Sequence, residues 1–170
     1  FDEFYPHLHG IREEVEYPEV QGIRLYHNRN TIHFPSHWHS AIEILYPLEE
    51  NYTVKIGTEE NVLAPGDILV VAPGTIHSYT PPESGERIFI LFDYNLLKMF
   101  RGLRQMMQAI QPYLLITQTA YPPLNEKLQE LLRDVIREYD EDVPYCGAMI
   151  WSRLLEFFAY IGRTDVYRVS

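Results

Sequence analysis

Two stretches decide the fold: His37-Trp38-His39-Ser40-Ala41-Ile42-Glu43 and Pro65-Gly66-Asp67-Ile68-Leu69-Val70-Val71-Ala72-Pro73-Gly74-Thr75-Ile76-His77-Ser78-Tyr79. Both read as strands separated by Pro-Gly turns. Residues two apart in a strand point to the same face. His37, His39 and Glu43 are therefore expected on one face, and the Pro-Gly turns bracket the segment that delivers His77. If the segments pair in one small barrel, three imidazoles and a carboxylate converge inside it. Such a donor set suits Fe, Mn, Ni, Zn or Cu. The same groups can instead hydrogen-bond one another, water or an organic ligand.

Outward from these stretches, residues 1–93 are rich in β-branched and aromatic residues and broken by turn signals. Strands are expected at 23–27, 32–34, 38–45, 52–56, 61–63, 67–71, 76–79 and 88–92. Short strands at this spacing suggest a sandwich or barrel and not βαβ units. After Asp93 the pattern turns helical. Asn95–Ile110 forms one expected helix, stopped by Pro112. A second begins near Pro122-Pro123 and carries Leu124, Leu128, Leu131, Leu132, Val135, Ile136 and Tyr139. A third is expected to be N-capped by Asp142, with Pro144 in its first turn, and to end near Gly162. Its stripe Trp151, Leu154, Leu155, Phe158 serves either the chain's own core or a helix–helix dimer seam.

Several residues receive plainer readings. Trp38 alternates away from its flanking histidines and is expected outside the barrel, under the C-terminal helices. His7, His9, His27 and His33 lack partnered spacing and are expected on the surface or in loops. Glu13-Glu14-Val15-Glu16 reads as a solvated edge. Cys146, the single cysteine, excludes an internal disulfide, fits a reducing cytosol and reads as a small buried hydrophobe.

The chain has 170 residues, 46% of them hydrophobic, enough for one full core. Its net charge of −10 falls entirely in residues 1–93, where 15 acidic side chains face 5 basic ones. An acidic barrel repels phosphate backbones, so nucleic-acid contact by these residues alone is not expected. No stretch is long and apolar enough to suggest a membrane span or a signal peptide. The first residue is Phe1 and not a methionine, which points to a piece of a longer protein.

The two opening stretches together resemble the paired motifs of the cupin superfamily, which build a metal site inside a β-barrel. The stretch 37–79 more narrowly resembles the N-terminal effector domain of AraC-type transcription regulators. There a cupin-like barrel precedes helices that commonly mediate dimerisation, and a separate helix-turn-helix domain binds DNA. The resemblance implies a mainly β fold: a cupin barrel (double-stranded β-helix, or jelly roll) followed by two or three α-helices. It implies an effector-binding barrel over 1–93, a dimerising helical extension over 94–170, and DNA contact only through a domain outside this chain. It carries the metal positions onto His37, His39, Glu43 and His77, for a divalent metal such as Zn, Ni, Fe or Mn. It also carries a ligand-contacting role onto Tyr79 beside those four. Three positions depart from the superfamily pattern. Glu50 stands where a glycine is usual, with Asn51 able to take up the turn. Ala72 replaces a proline, with Pro73 one place later, and Pro81 replaces an asparagine.

Two functions are weighed. One is a cytoplasmic, non-enzymatic sensor of a small molecule such as a sugar, acting as a homodimer in transcription regulation. Tyr26, Tyr46, Tyr52 and Tyr79 would then offer apolar faces and hydroxyls to the effector. The other is a metal-dependent cupin enzyme, a dioxygenase or sugar isomerase, which would use the same four donors. A dimerisation module with an empty barrel is the weakest reading.

Overall fold

The computed structural model describes residues 7–17, 20, 22–164 and 166; the outermost residues of both expected parts lie outside this set. Eleven strands and four helices follow in chain order among the described residues. They are β1 (His7–His9), β2 (Arg12–Glu14), β3 (Ile23–Asn28), β4 (Phe34–His37), β5 (Ile42–Pro47), β6 (Tyr52–Ile56), β7 (Glu59–Leu63), β8 (Ile68–Val71), β9 (His77–Thr80) and β10 (Arg87–Phe92). Then come α1 (Tyr94–Leu97), α2 (Arg101–Ala109), β11 (Tyr113–Ile116), α3 (Pro122–Glu141) and α4 (Cys146–Gly162).

Two antiparallel sheets face each other, one ordered β11-β8-β5-β10-β3 and the other β4-β9-β6-β7. A two-stranded β1–β2 hairpin forms a sheet of its own, joined to Trp38 by backbone hydrogen bonds. The space between the sheets is filled by Leu45, Leu69, Val71 and Phe89 from one and Tyr52, Val54, Ile56, Leu63 and Tyr79 from the other. Ile42, Ile44, Ile68, Val70, Ile88, Ile90 and Phe92 point the other way. They pack against Leu128, Leu132, Ile150, Leu154, Phe157 and Phe158 of the helices. With both faces covered, β5 and β10 are buried at every position, which is why their sequences are apolar runs without clean alternation. The fold is mainly β: two facing antiparallel sheets with helices at the C-terminal end, the layout expected of a cupin barrel.

The two Pro-Gly turns use one device. Asp67 N donates to Ala64 O (3.0 Å) and Thr75 N to Ala72 O (3.3 Å). In each turn the proline precedes a glycine at positive φ, +92° at Gly66 and +78° at Gly74. That is the geometry of a type II turn, and it needs glycine at the third position. Asp67 Oδ2 then accepts from Ala64 N and its Oδ1 from Gln118 N, tying the first turn to the segment before α3.

Several expectations change. The strand expected over 38–45 is broken: β4 ends at His37 in one sheet and β5 starts at Ile42 in the other. The first expected helix is split, with Lys98 to Phe100 between α1 and α2. Residues 113–116, inside the expected helical extension, form β11 and pair with β8, so the two expected parts share one sheet. Asp142 is not an N-cap. It closes α3 in the left-handed region (φ +49°), and Tyr145 starts α4. Glu50 itself takes the positive φ (+61°) that Asn51 was expected to absorb. Trp38 does not lie under the helices: it bridges to Arg12 in β2, whose guanidinium sits 5.6 Å from the indole centroid. Trp151, by contrast, meets Phe92 edge-on at 6.1 Å. Leu154 and Phe158, half of the proposed seam stripe, are spent on the chain's own core. No helix among the described residues is long and apolar enough to cross a membrane.

Candidate metal and ligand site

His37, at the end of β4, and His77, at the start of β9, pair directly across the four-stranded sheet. Glu43 faces them from β5 in the opposite sheet, and His39 sits in the connection between β4 and β5. Convergence thus comes from two sheets facing one interior and not from alternation along one strand. One ligand atom from each of the four residues lies within 4.8 Å of the others. All four side chains are buried, at 1% exposure each.

The loop carrying His77 is braced from three sides. Gly74 N donates to His39 O (2.8 Å), Ala72 N to Pro112 O (3.0 Å), and Thr75 Oγ1 to Pro112 O (3.0 Å). The expected site residues are therefore held together by the turn, by the connection bearing His39, and by the entry to β11.

Each imidazole uses Nδ1 on a nearby backbone carbonyl: His37 on Pro35 O (3.0 Å), His39 on Ala41 O (3.0 Å), His77 on Thr75 O (2.8 Å). A carbonyl only accepts, so these contacts assign the proton to Nδ1 and leave Nε2 facing the interior. The Nε2 atoms of His39 and His77 both stand 2.9 Å from Glu43 Oε2. In neutral rings of that tautomer, two nitrogen lone pairs face a carboxylate oxygen. The arrangement repels unless a positive centre sits among the atoms: extra protons on the rings, or a metal ion. Orientation of metal-binding imidazoles by carbonyls on the second nitrogen is a general property of such sites. The four donors fit a divalent transition metal.

Electrostatics agree with an anionic Glu43 among imidazoles. Burial opposes its charge, but His77 and His39 hold its carboxyl well below the usual range. Burial, reinforced by His77, pushes His37 down to about 4, so that ring is neutral at pH 7. Burial also acts to lower His39, and the Glu43 carboxylate outweighs it. Tyr79 donates its hydroxyl to Glu43 Oε1. Burial and the Glu43 charge keep that phenol protonated, far above its ordinary range. Tyr26, Tyr52, Phe34 and Phe89 continue an aromatic lining around Tyr79.

Glu13 is the residue that sequence reasoning missed. It was expected on a solvated edge but is 4% exposed, with Oε2 3.5 Å from His37 Nε2 and 3.9 Å from His39 Nε2. Burial above all raises its carboxyl to about 7, and Glu43 adds to the shift against His39 and His77. The signal available was alternation: in β2, Arg12 and Glu14 are exposed while Glu13 points in, opposite Leu8 of β1. His27 also departs from expectation. It lies on β3 and bridges Glu86 (2.6 Å) and Asp140 (2.8 Å).

A groove of about 460 Å³ opens elsewhere, between α2 and α4, lined by Phe100, Leu103, Met106 and Ala159 among others. None of its lining residues is ionisable, in contrast to the barrel interior.

The AraC-like ligand binding domain family matches residues 20–158. The chain belongs to this family. No curated protein matches it significantly. Among solved structures it is similar to a cupin-2 domain protein of Shewanella frigidimarina at 18% identity and TM-score 0.40, covering 42% of this chain and 72% of that one. It is similar to a variant of Bacillus subtilis oxalate decarboxylase at 22% identity and TM-score 0.38, covering 42% of this chain and 21% of that one. The EutQ protein of Clostridium difficile is 12% identical at TM-score 0.39, with 44% and 59% covered. Likenesses this distant carry no functional weight. The family membership establishes an AraC-like ligand-binding domain.

Proposed function

We propose that this domain is the small-molecule sensor of a cytoplasmic transcription regulator and that its barrel site holds a divalent metal through His37, His39, Glu43 and His77. The observation that supports this most is the common orientation of the three imidazoles. Each is fixed through Nδ1 by its own backbone carbonyl, and the Nε2 atoms of His39 and His77 converge on Glu43. When bound, the metal supplies a Lewis-acidic centre for a hydroxyl or carbonyl oxygen of the effector. Tyr79 holds Glu43 in place, and the aromatic lining offers ring faces for the apolar side of a sugar-like polyol.

Because the four donors are buried, an effector larger than an ion enters only when the β1–β2 hairpin or a neighbouring loop gives way. Such an effector shifts the protein between conformations only as far as its affinities for them differ. In this reading the helices pair two copies into a homodimer. Leu96, Met99 and Phe100 are exposed apolar side chains available for that contact, and Phe100 also lines the α2–α4 groove. DNA is then bound through a separate domain outside these 170 residues. The family membership favours this over a metal-dependent cupin enzyme, which would use the same donors.

Thermal-shift screening of sugars and related polyols, with and without Mn²⁺, tests the reading. A ligand at 100 times its Kd raises stability by about 2.7 kcal/mol. Turnover of a stabilising compound by the metal-loaded domain would favour the enzyme instead. Stabilisation by polyols that persists unchanged in His77→Ala would remove the barrel as the binding site.

A further inference from the structure

We propose that Glu13 is a fifth donor of the barrel site, so that the ion is held by three imidazoles and two carboxylates. The inference rests on the metal-holding reading of the other four residues. It starts from an oddity of burial. Glu13 belongs to a run of acids, yet it alone of Arg12, Glu13 and Glu14 in β2 is removed from water. Its Oε1 is buried with no hydrogen-bond partner. A carboxylate oxygen without a donor is costly to bury and calls for an explanation.

The backbone puts Glu13 there deliberately. Glu13 N donates to Trp38 O (2.7 Å) and Trp38 N donates to Ile11 O (2.9 Å). These two bonds clamp the hairpin to the one residue that lies between His37 and His39. The carboxylate is then delivered between two imidazoles. Its Oε2, 3.5 and 3.9 Å from their Nε2 atoms, is too far for good hydrogen bonds. These two separations suit ligands sharing one ion; Glu13 stands outside the tight group of His37, His39, Glu43 and His77 and closes on it when the ion binds. Donors bonded at roughly 2.0–2.2 Å stand about 2.8–4.4 Å apart, and the Glu43 contacts at 2.9 Å fall at the short end of that range.

Charge points the same way. Metal binding takes imidazoles in their neutral form and carboxyls in their ionised form, so with an ion bound the five donors would carry two negative charges, which a dication cancels. Three nitrogen and two oxygen donors also choose among metals. They overfill a tetrahedral zinc site but leave one position of an octahedron, where water or an effector oxygen can bind. The site is thereby assigned to six-coordinate ions such as Mn²⁺, Fe²⁺, Co²⁺ or Ni²⁺.

The test compares wild type, Glu13→Gln and Glu14→Gln, the last altering an exposed neighbour on the same hairpin. Free Mn²⁺ is followed by electron paramagnetic resonance during titration, and Co²⁺ complexes by visible absorption. Glu13→Gln is expected to weaken Mn²⁺ binding by about 10–100-fold and to alter the Co²⁺ spectrum, with Glu14→Gln matching wild type. Hydrogen exchange at residues 11–14 should slow with Mn²⁺ in wild type and Glu14→Gln but not in Glu13→Gln. Equal Mn²⁺ affinity and identical Co²⁺ spectra in wild type and Glu13→Gln would overturn the fifth donor while leaving the four-residue site standing. A wild type that takes up no metal would overturn both readings. The Co²⁺ spectrum of wild type decides without any variant: an intense tetrahedral band excludes five protein donors.

Discussion

Glu13 Oε2 stands 3.5 Å from His37 Nε2, although the two residues are 24 apart in the chain and lie on strands of different sheets. The contact joins a peripheral hairpin to the interior of the barrel. It makes the N-terminal hairpin part of the site instead of a flanking ornament, and several consequences of the surrounding geometry can be measured.

Removing a central donor should abolish metal binding. His77→Ala takes away one nitrogen and leaves Glu43 with His39 alone at 2.9 Å. Affinity for Mn²⁺ or Ni²⁺ should fall by at least about 100-fold. Chelator treatment of the loaded wild type should lower its melting temperature, and the same treatment of His77→Ala should change nothing. Calorimetric titration and thermal unfolding read both effects.

Stability should depend on pH through His27. Burial alone would lower this imidazole, but hydrogen bonds to Glu86 and Asp140 raise it above its ordinary value of 6.5. A raised folded pKa means that the protonated ring stabilises the fold. That contribution is complete below pH 6.5 and is lost as pH rises through the folded value. Glu13, raised to about 7, also makes the metal-free fold less stable as pH rises from the ordinary carboxyl range, so the comparison belongs in a Glu13→Gln background. There, unfolding free energy should decline from pH 6.5 upward, and His27→Gln should make that decline shallower, with the raised His39 supplying the remainder. An unchanged slope in His27→Gln would refute the link from β3 to the end of α3.

Gly66→Ala should cost about 2 kcal/mol. Its φ of +92° disfavours any side chain, and an added Cβ would fall 1.8 Å from Gln118 Nε2. Gln118→Ala in the same protein removes the collision but not the backbone strain. The double variant should therefore recover only part of the loss in urea denaturation.

Arg87→Met should be destabilising by about 2–4 kcal/mol despite similar volume. The guanidinium is fully buried and donates to Asn28 Oδ1, Asn30 O and Gly85 O. It also lies 4.6 Å from the centroid of the Tyr52 ring. Losing it removes a buried donor from three acceptors where Arg87 faces Asn28, and of these Asn28 Oδ1 keeps only Asn30 N. The urea midpoint should drop with an unchanged slope.

The mainly β layout and the four side chains that gather in its interior were legible in the residues alone. Pro-Gly turns, strand-length apolar runs and the His-x-His and His77 positions are local features that survive whatever else the chain does. Helical periodicity likewise located α3 and α4, because each buries a continuous stripe against the outer sheet face. The remaining features came from long-range packing. The shared face assumed for His37, His39 and Glu43 does not exist, since the chain changes sheets between residues 38 and 41. The four meet because two sheets close over one interior, a relation with no period along the chain. Glu13 reaches that interior through backbone bonds to Trp38, and His27 finds Asp140 across 113 residues. Pairing partners this distant leave no local mark on composition, so an acid in a charged run and a histidine without near neighbours look solvated until the strands are paired.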